Sequence, residues 1–363
     1  MSKKLYIGLM SGTSLDGVDV ALCNIDIKSC HLEASLFMPF DKHLREEILL
    51  VIKGKTTLKQ IGEIDHKLAL LFANAVNALL KEESLSPDEV IAIGSHGQTL
   101  WHEPNGEYPF SMQLGNPSLL AVLTKIEVVA DFRAKDVALG GQGAPFAPAF
   151  HQFLFSHMRE CAVVNIGGMA NITILGNDLV GYDTGCGNVL MDLWVQEHKK
   201  TPYDKDGAWA KSGKVHEKLL ETLLQDYYFN LSFPKSTGRE YFNKNFLIKY
   251  LEPLGKIPTE DVQATLLALS VKSIGNEIKK FKIKKILVCG GGAKNIFLMN
   301  QLQKELPLVE VGVTDDYTVD SDNLEAMIFA WLAYKRLAGE SVDLKSVTGA
   351  KNNTILGGIY ARN

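Results

Sequence analysis

The chain has 363 residues, 46% of them hydrophobic and 22% charged, with a formal net charge of −4 at pH 7. That length favours two domains over a single core, and the balance is ordinary for a soluble globular enzyme. Mild acidity without a basic block argues against nucleic acid as a partner, and no run approaches the ~20 apolar residues of a membrane span.

Three strands open the chain: Leu5–Met10, Val18–Asp26 and His31–Pro39. Helical periodicity follows at Asp41–Lys53 and Leu58–Lys81. The apolar strands Val90–Gly94 and Ile126–Ala130 end at Ser95-His96-Gly97-Gln98 and Asp131-Phe132-Arg133. A crossover is expected over residues 127–145, which close on Leu139-Gly140-Gly141-Gln142-Gly143-Ala144-Pro145. The pattern then restarts with strands Cys161–Ile166, Ile172–Leu175 and Leu179–Tyr182 and a helix from about Asn188. Helices at about Tyr241–Leu251 and Thr259–Phe281 precede the strand Lys285–Cys289. A helix from Ala293, the strand Val309–Val313 and a long helix Asn323–Ala338 complete the series. Three strands and then alternating helices and strands, twice over, predict two similar α/β halves with a ligand cleft between them.

The turn between the first two strands, Gly8-Leu9-Met10-Ser11-Gly12-Thr13-Ser14-Leu15-Asp16-Gly17-Val18-Asp19, crowds glycines, hydroxyls and a carboxylate together. Glycine frees backbone N–H groups to face a ligand, and a nest of such groups suits phosphate. A plain tight hairpin uses the same residues. A Walker A loop is excluded, because its Lys is missing and a strand follows. At the matching place in the second half stands Asn165-Ile166-Gly167-Gly168-Met169-Ala170-Asn171, so the two turns could grip one polyphosphate. A third cluster, Cys289-Gly290-Gly291-Gly292-Ala293-Lys294-Asn295, opens a helix. It reads either as a surface for a nucleoside beside helix N–H groups or as a tight strand-to-helix turn.

Asp183, in Asp183-Thr184-Gly185-Cys186-Gly187-Asn188, falls at the carboxyl end of a strand, where a carboxylate can serve as general base. Helix capping is the alternative, although Thr184 or Asn188 could take that part. Arg133 either clamps a carboxylate or pairs with Asp131. Glu325 opens the last helix and favours its dipole. On that helix Met327, Trp331 and Tyr334 read as core, and His102 and His151 as structural. The cysteines Cys23, Cys30, Cys161, Cys186 and Cys289 have no metal-ligand spacing, so reduced thiols are expected. With no secretory signal pattern after Lys3-Lys4, a cytoplasmic location is expected.

Together these motifs resemble the anhydro-N-acetylmuramic acid kinase family. The resemblance runs in order through Gly8–Asp19, Ser95-His96-Gly97-Gln98-Thr99, Ala130-Asp131-Phe132-Arg133, Gly140-Gly141-Gln142-Gly143-Ala144-Pro145, Asn165-Ile166-Gly167-Gly168 and Asp183-Thr184-Gly185. It implies an α/β fold of two ribonuclease H-like domains, of the actin and hexokinase type, flanking an ATP cleft. The domains would be 1–130, completed by 339–363, and 131–338. The activity implied is ATP-dependent phosphorylation of O6 of 1,6-anhydro-N-acetylmuramic acid with hydrolytic opening of the anhydro ring, in cell-wall recycling. Asp183 would activate the attacking water. Gly12, Thr13, Ser14, Leu15, Asp16, Gly17, Val18 and Asp19 would form the phosphate loop. Gly167, Gly168, Gly290, Gly291, Gly292 and Asn295 would meet the rest of the ATP, and Asp16, with Asp19 as the other candidate, would face Mg²⁺. His96, Gln98, Arg133, Asn171 and Glu325 would line the sugar pocket. Cys186 departs from the Pro common in the family's Asp-Thr-Gly-Pro-Gly-Asn, which loosens a φ that Pro fixes. The alternatives are a kinase of another amino sugar, such as N-acetylglucosamine, or an actin-like ATP-binding switch protein. A homodimer stays open.

Overall fold

The computed structural model describes residues 3–12, 15–317, 319 and 321–362. Thr13 and Ser14 of the expected phosphate loop lie outside the described residues. The chain separates into two compact units, residues 1–154 with 318–363, and residues 155–317.

In the first unit β1 (Leu5–Ser11), β2 (Gly17–Ile25) and β3 (Cys30–Pro39) form an antiparallel meander. The aliphatic runs of β1 and β2 are buried almost throughout, whereas β3 alternates between half-buried and exposed positions as an edge strand does. After α1 (Lys42–Ile52), a capping box starts α2 (Leu58–Glu82). Gln60 N donates to Thr57 Oγ1 at 3.3 Å, and Thr57 N donates to Gln60 Oε1 at 2.8 Å. Ile64, Leu68, Phe72, Val76 and Leu79 recur every third or fourth residue and are buried. Gly62 sits on the opposite, exposed face, with nothing within 4 Å of where a Cβ would stand. Gly62→Ala is therefore expected to stabilise the protein by about 0.5–1 kcal/mol, read as a higher urea midpoint at unchanged slope.

β4 (Val90–Glu103) runs parallel to β1 and continues outward to pair with β5 (Phe110–Leu114). The sequence pattern ends this strand at Gly94 because a polar run follows. The structure instead buries Ser95, His96 and Gln98 within it. α3 (Pro117–Thr124) leads to β6 (Val128–Ala130), parallel to β4.

In the second unit β7 (Cys161–Ile166), β8 (Met169–Ile174) and β9 (Val180–Cys186) form another antiparallel meander. β10 (Lys285–Cys289) lies parallel to β7, and β11 (Glu310–Val313) parallel to β10. Between these strands in sequence come α4 (Val189–Lys199), α5 (Thr259–Ile278) and α6 (Ile296–Glu305). Leu266 and Ile274 of α5 share one core with Val164, Ile172 and Ile286 of the sheet. The chain then returns to the first unit. There α7 (Leu324–Leu337) packs on β1 and β4, and β12 (Gly358–Tyr360) pairs antiparallel with β6.

The strand orders are β3-β2-β1-β4-β6-β12 and β9-β8-β7-β10-β11. With β5 set aside, since it pairs only with β4, both units read third, second, first, fourth and then the next strand, with the same directions, the ribonuclease H-like arrangement; β12 is added at the edge of the first. The sequence pattern sets the unit boundaries at 130/131 and 338/339, whereas contacts set them at 154/155 and 317/318. The reason is that residues beyond β6 fold back on the first sheet. Arg133 bonds His96, Thr348 Oγ1 donates to Asp136 at 2.8 Å, and α7 covers β1 and β4. The five cysteines are buried and form no disulfide. Among the described residues no helix is long and apolar enough to cross a membrane.

Candidate active site

The β1–β2 hairpin of the first unit is held from beneath. Ser11 Oγ lies 2.6 Å from Gln98 Oε1 and 3.0 Å from the Gly17 carbonyl. Gln98 Nε2 donates to the carbonyls of Gly12 at 3.3 Å and Thr99 at 3.2 Å. Gln98, expected on the sugar side, is thus fully buried with its amide spent on bracing the hairpin. Leu15 takes a left-handed φ of 54° and buries its side chain in the first-unit core, as does Val18. Those two residues can therefore offer a ligand only their backbone. Leu15 anchors the turn that Gly12, Asp16 and Gly17 surround. The Asp19 carboxyl is pushed up to about 6, first by burial and then by the like charges of Asp16, Glu325 and Asp322.

Arg133 does not pair with Asp131: among the described residues no ion pair joins them. Its Nη1 donates to the Gly143 carbonyl at 2.7 Å, while Nε and Nη2 lie 3.2 and 2.9 Å from His96 Nε2. Two guanidinium donors on Nε2 assign the imidazole proton to Nδ1. Burial and the Arg133 charge lower the His96 pKa to about 3, so the ring stays neutral. Arg133 is itself brought down to about 10 by burial, against the pull of Glu325 and Asp136, and remains cationic at neutral pH. Burial raises the Glu325 carboxyl while Arg133 holds it down. Ser95, His96, Gly97, Asp65, Asp131 and Tyr360 help to line a cavity of about 450 Å³.

In the second unit Asp183 lies inside β9 rather than after it, directly across from Asn171 of β8. The motif's polar residues read as the strand's end, yet the ladder continues to Cys186. Asp183 Oδ2 accepts from Thr237 N at 2.9 Å. The carboxyl is pushed up to about 6, chiefly by burial, with Glu240 adding and the Thr237 N–H opposing. The turn Gly167–Gly168 sits against the start of α4. Asn188 N donates to Gly167 O at 2.8 Å, and Gly187 N donates to Gly168 O at 2.9 Å.

Gly290 has a φ of 77°, and a Cβ there would stand 3.0 Å from Ile166 O, so this cluster packs tightly on the end of β7. Gly291 faces a cavity of about 470 Å³ lined also by Asn188, Asp192, Tyr203, Asp204 and Asn295. Asn295 also caps α6, accepting from Leu298 N at 3.0 Å. Sequence reasoning missed the segment from Tyr203 to Asp206, although Asp204-Lys205-Asp206-Gly207 after a helix is a visible loop signal. It also missed Arg239, whose guanidinium would come within 3.7 Å of a Cβ at Gly168 and which opposes the burial that pushes the Asp192 carboxyl up to about 6.

Two ribonuclease H-like units, each with a glycine turn near its first two strands, define a duplicated α/β protein suited to phosphate. The chain belongs to the anhydro-N-acetylmuramic acid kinase family, whose sequence pattern it matches over residues 4–362. It is 59% identical to the anhydro-N-acetylmuramic acid kinase of Sulfurovum sp., over 99% of this chain and 100% of that one. Identity to the corresponding protein of Sulfurimonas denitrificans is 52%, over 98% and 99%. Among solved structures, the activator of the 2-hydroxyisocaproyl-CoA dehydratase from Clostridium difficile is similar at TM-score 0.45 and 13% identity, covering 92% of this chain and 96% of that one.

Proposed function

We propose that this protein transfers the γ-phosphoryl group of ATP to O6 of 1,6-anhydro-N-acetylmuramic acid while water opens the anhydro ring. The observation that carries the reading is Asp183: a carboxyl near pKa 6, oriented by a backbone N–H, inside a strand of a family member. Such a group is poised to act as base near neutral pH. It takes a proton from water as the water oxygen bonds C1 and the C1–O6 bond breaks. O6 bonds the γ-phosphorus as the bond to the β-phosphate oxygen breaks, leaving N-acetylmuramic acid 6-phosphate and ADP. The proton then passes from Asp183 to solvent.

The backbone of Gly12 and of residues 15–19 in the first unit is assigned to the phosphates, and so are Gly167 and Gly168 of the second. The cavity at Gly290–Gly292 and Asn295 is assigned to the nucleoside. Arg133, with Glu325, His96 and Asn171, is assigned to the sugar. Mg²⁺ fits the acidic end of the hairpin, because the repulsion that helps to raise Asp19 is one a cation would relieve. Among the described residues no three His, Cys, Asp or Glu side chains are close enough to hold a metal alone, so Asp16 would hold the ion together with phosphate and water. When bound, the ion neutralises phosphate charge. We place the reaction in the cytoplasm, where ATP and reduced thiols such as these occur together.

Coupled ADP release tests the assignment. Turnover should depend on the anhydro sugar and fall sharply with N-acetylmuramic acid or N-acetylglucosamine. Equal rates with either would favour a general amino-sugar kinase. Slow ATP hydrolysis indifferent to sugar would favour a switch protein.

A further inference from the structure

We propose that the buried ion pair Lys235–Glu277 is a positioning device for Asp183, an inference that rests on the role given to Asp183 above. Three atoms of Asp183 are tied down. Its N–H donates to Lys235 O at 3.1 Å, its carbonyl accepts from Tyr228 OH at 2.8 Å, and Oδ2 accepts from Thr237 N at 2.9 Å. Two of these ties come from residues 235–237, a stretch in neither helix nor strand. A segment without its own hydrogen-bond ladder keeps its place only through anchors elsewhere.

Lys235 supplies the anchor. Its Nζ lies 2.7 Å from Glu277 Oε1, with the side chains only 2% and 4% exposed. Glu277 projects from α5, and its Oε2 also accepts from Tyr182 OH at 2.9 Å. One carboxylate therefore holds both the residue before Asp183 and the segment that bonds the Asp183 carboxylate. Lys280 approaches the same oxygen from the surface at 2.5 Å. A buried pair is weak evidence for stability, since apolar residues of similar volume often do as well. Control of geometry accounts for this one better.

The chemical consequence has a definite sign. An N–H bonded to the ionised carboxylate favours the charged form, so losing it raises the pKa. Glu240 already pushes in that direction, the Tyr228 phenol faces the same carboxylate, and Lys235 Nζ is turned toward Glu277.

The test is the full-length double variant Lys235→Met with Glu277→Leu, which replaces the pair by apolar side chains. We expect kcat to fall about 10–100-fold, as when a reacting group is misplaced by about an ångström. The KM values for sugar and ATP should stay near wild type, and the acid limb of the kcat–pH profile should move upward. A folded double variant with unchanged kcat and limb overturns the proposal. If the double variant does not fold, Glu277→Gln carries the same readouts while keeping volume and the Tyr182 bond, and the same null result overturns it. Asp183→Asn separates the two readings. Should it retain turnover, the base assignment fails. Should it lose turnover while the pair variants change nothing, only the positioning role fails.

Discussion

Asp183→Asn is expected to lower sugar-dependent kcat by about 10²–10⁴ while leaving the KM for ATP near wild type. The wild-type carboxyl sits near 6 because burial penalises its charge more than the Thr237 N–H relieves it. Protonation removes the base, so wild-type kcat should decline as pH falls below about 6 and reach a plateau above it. The variant's residual rate should lack that limb. Stability runs in the opposite sense. A carboxyl whose folded pKa exceeds its unfolded value of about 3.9 binds its proton more tightly in the folded state. That contribution is complete below about pH 4 and is lost as pH rises through about 6. At pH 7 the wild type bears an ionised, largely buried carboxylate that the variant does not. Asp183→Asn should therefore melt no lower than wild type at pH 7, joining a large loss of activity to no loss of stability. Melting curves and pH–rate profiles on the two proteins check both halves. A variant that keeps turnover, or keeps the limb, removes Asp183 from the chemistry.

Most strands were legible because their signals are local. Leu5–Ser11 and Cys161–Ile166 are apolar runs closed by glycine turns, and the repeat of three strands before the first long helix exposed the duplication. What escaped depends on partners distant in sequence. The polar run Ser95–Gln98 looks like a strand end, and its burial depends on partners such as the guanidinium of Arg133, the hydroxyl of Ser11 and the carbonyl of Gly12. β5 and α3 follow from that extension, so they were missed with it. The site divides in the same way. Asp183 and the glycine turns announce themselves by composition. Thr237 acts through a backbone N–H, which any residue except Pro supplies, and so leaves no trace in its identity. Lys235 and Glu277 stand 42 positions apart on elements that nothing local connects.

Gly94→Ala should be among the most damaging single methyl additions in the chain. Gly8 and Gly94 are direct neighbours across β1 and β4, and together they leave a smooth patch on the sheet. The backbone of α7 lies on that patch. A Cβ on Gly94 would overlap the Phe329 carbonyl oxygen and stand 3.2 Å from Ala333 Cβ, and one on Gly8 would overlap the Ala326 carbonyl. These obstacles are backbone atoms inside a regular helix, so no rotamer change can yield, and the whole of α7 must lift. Overpacking costs typically 1–3 kcal/mol even where side chains can shift. About 3 kcal/mol or more is expected here, which for a chain of this size lowers Tm by roughly 4 °C or more. The double variant Gly8→Ala with Gly94→Ala should cost less than the sum of the single variants, since a helix lifted by the first methyl has already cleared space for the second. Function should suffer beyond stability. α7 carries Glu325 in its first turn, and its Phe329 ring packs on His96 at 4.7 Å between centroids. Lifting the helix displaces both from Arg133, so the folded fraction of Gly94→Ala should show a raised KM for the sugar at a temperature well below its Tm. Unchanged Tm and KM would mean that α7 does not rest on the glycine pair.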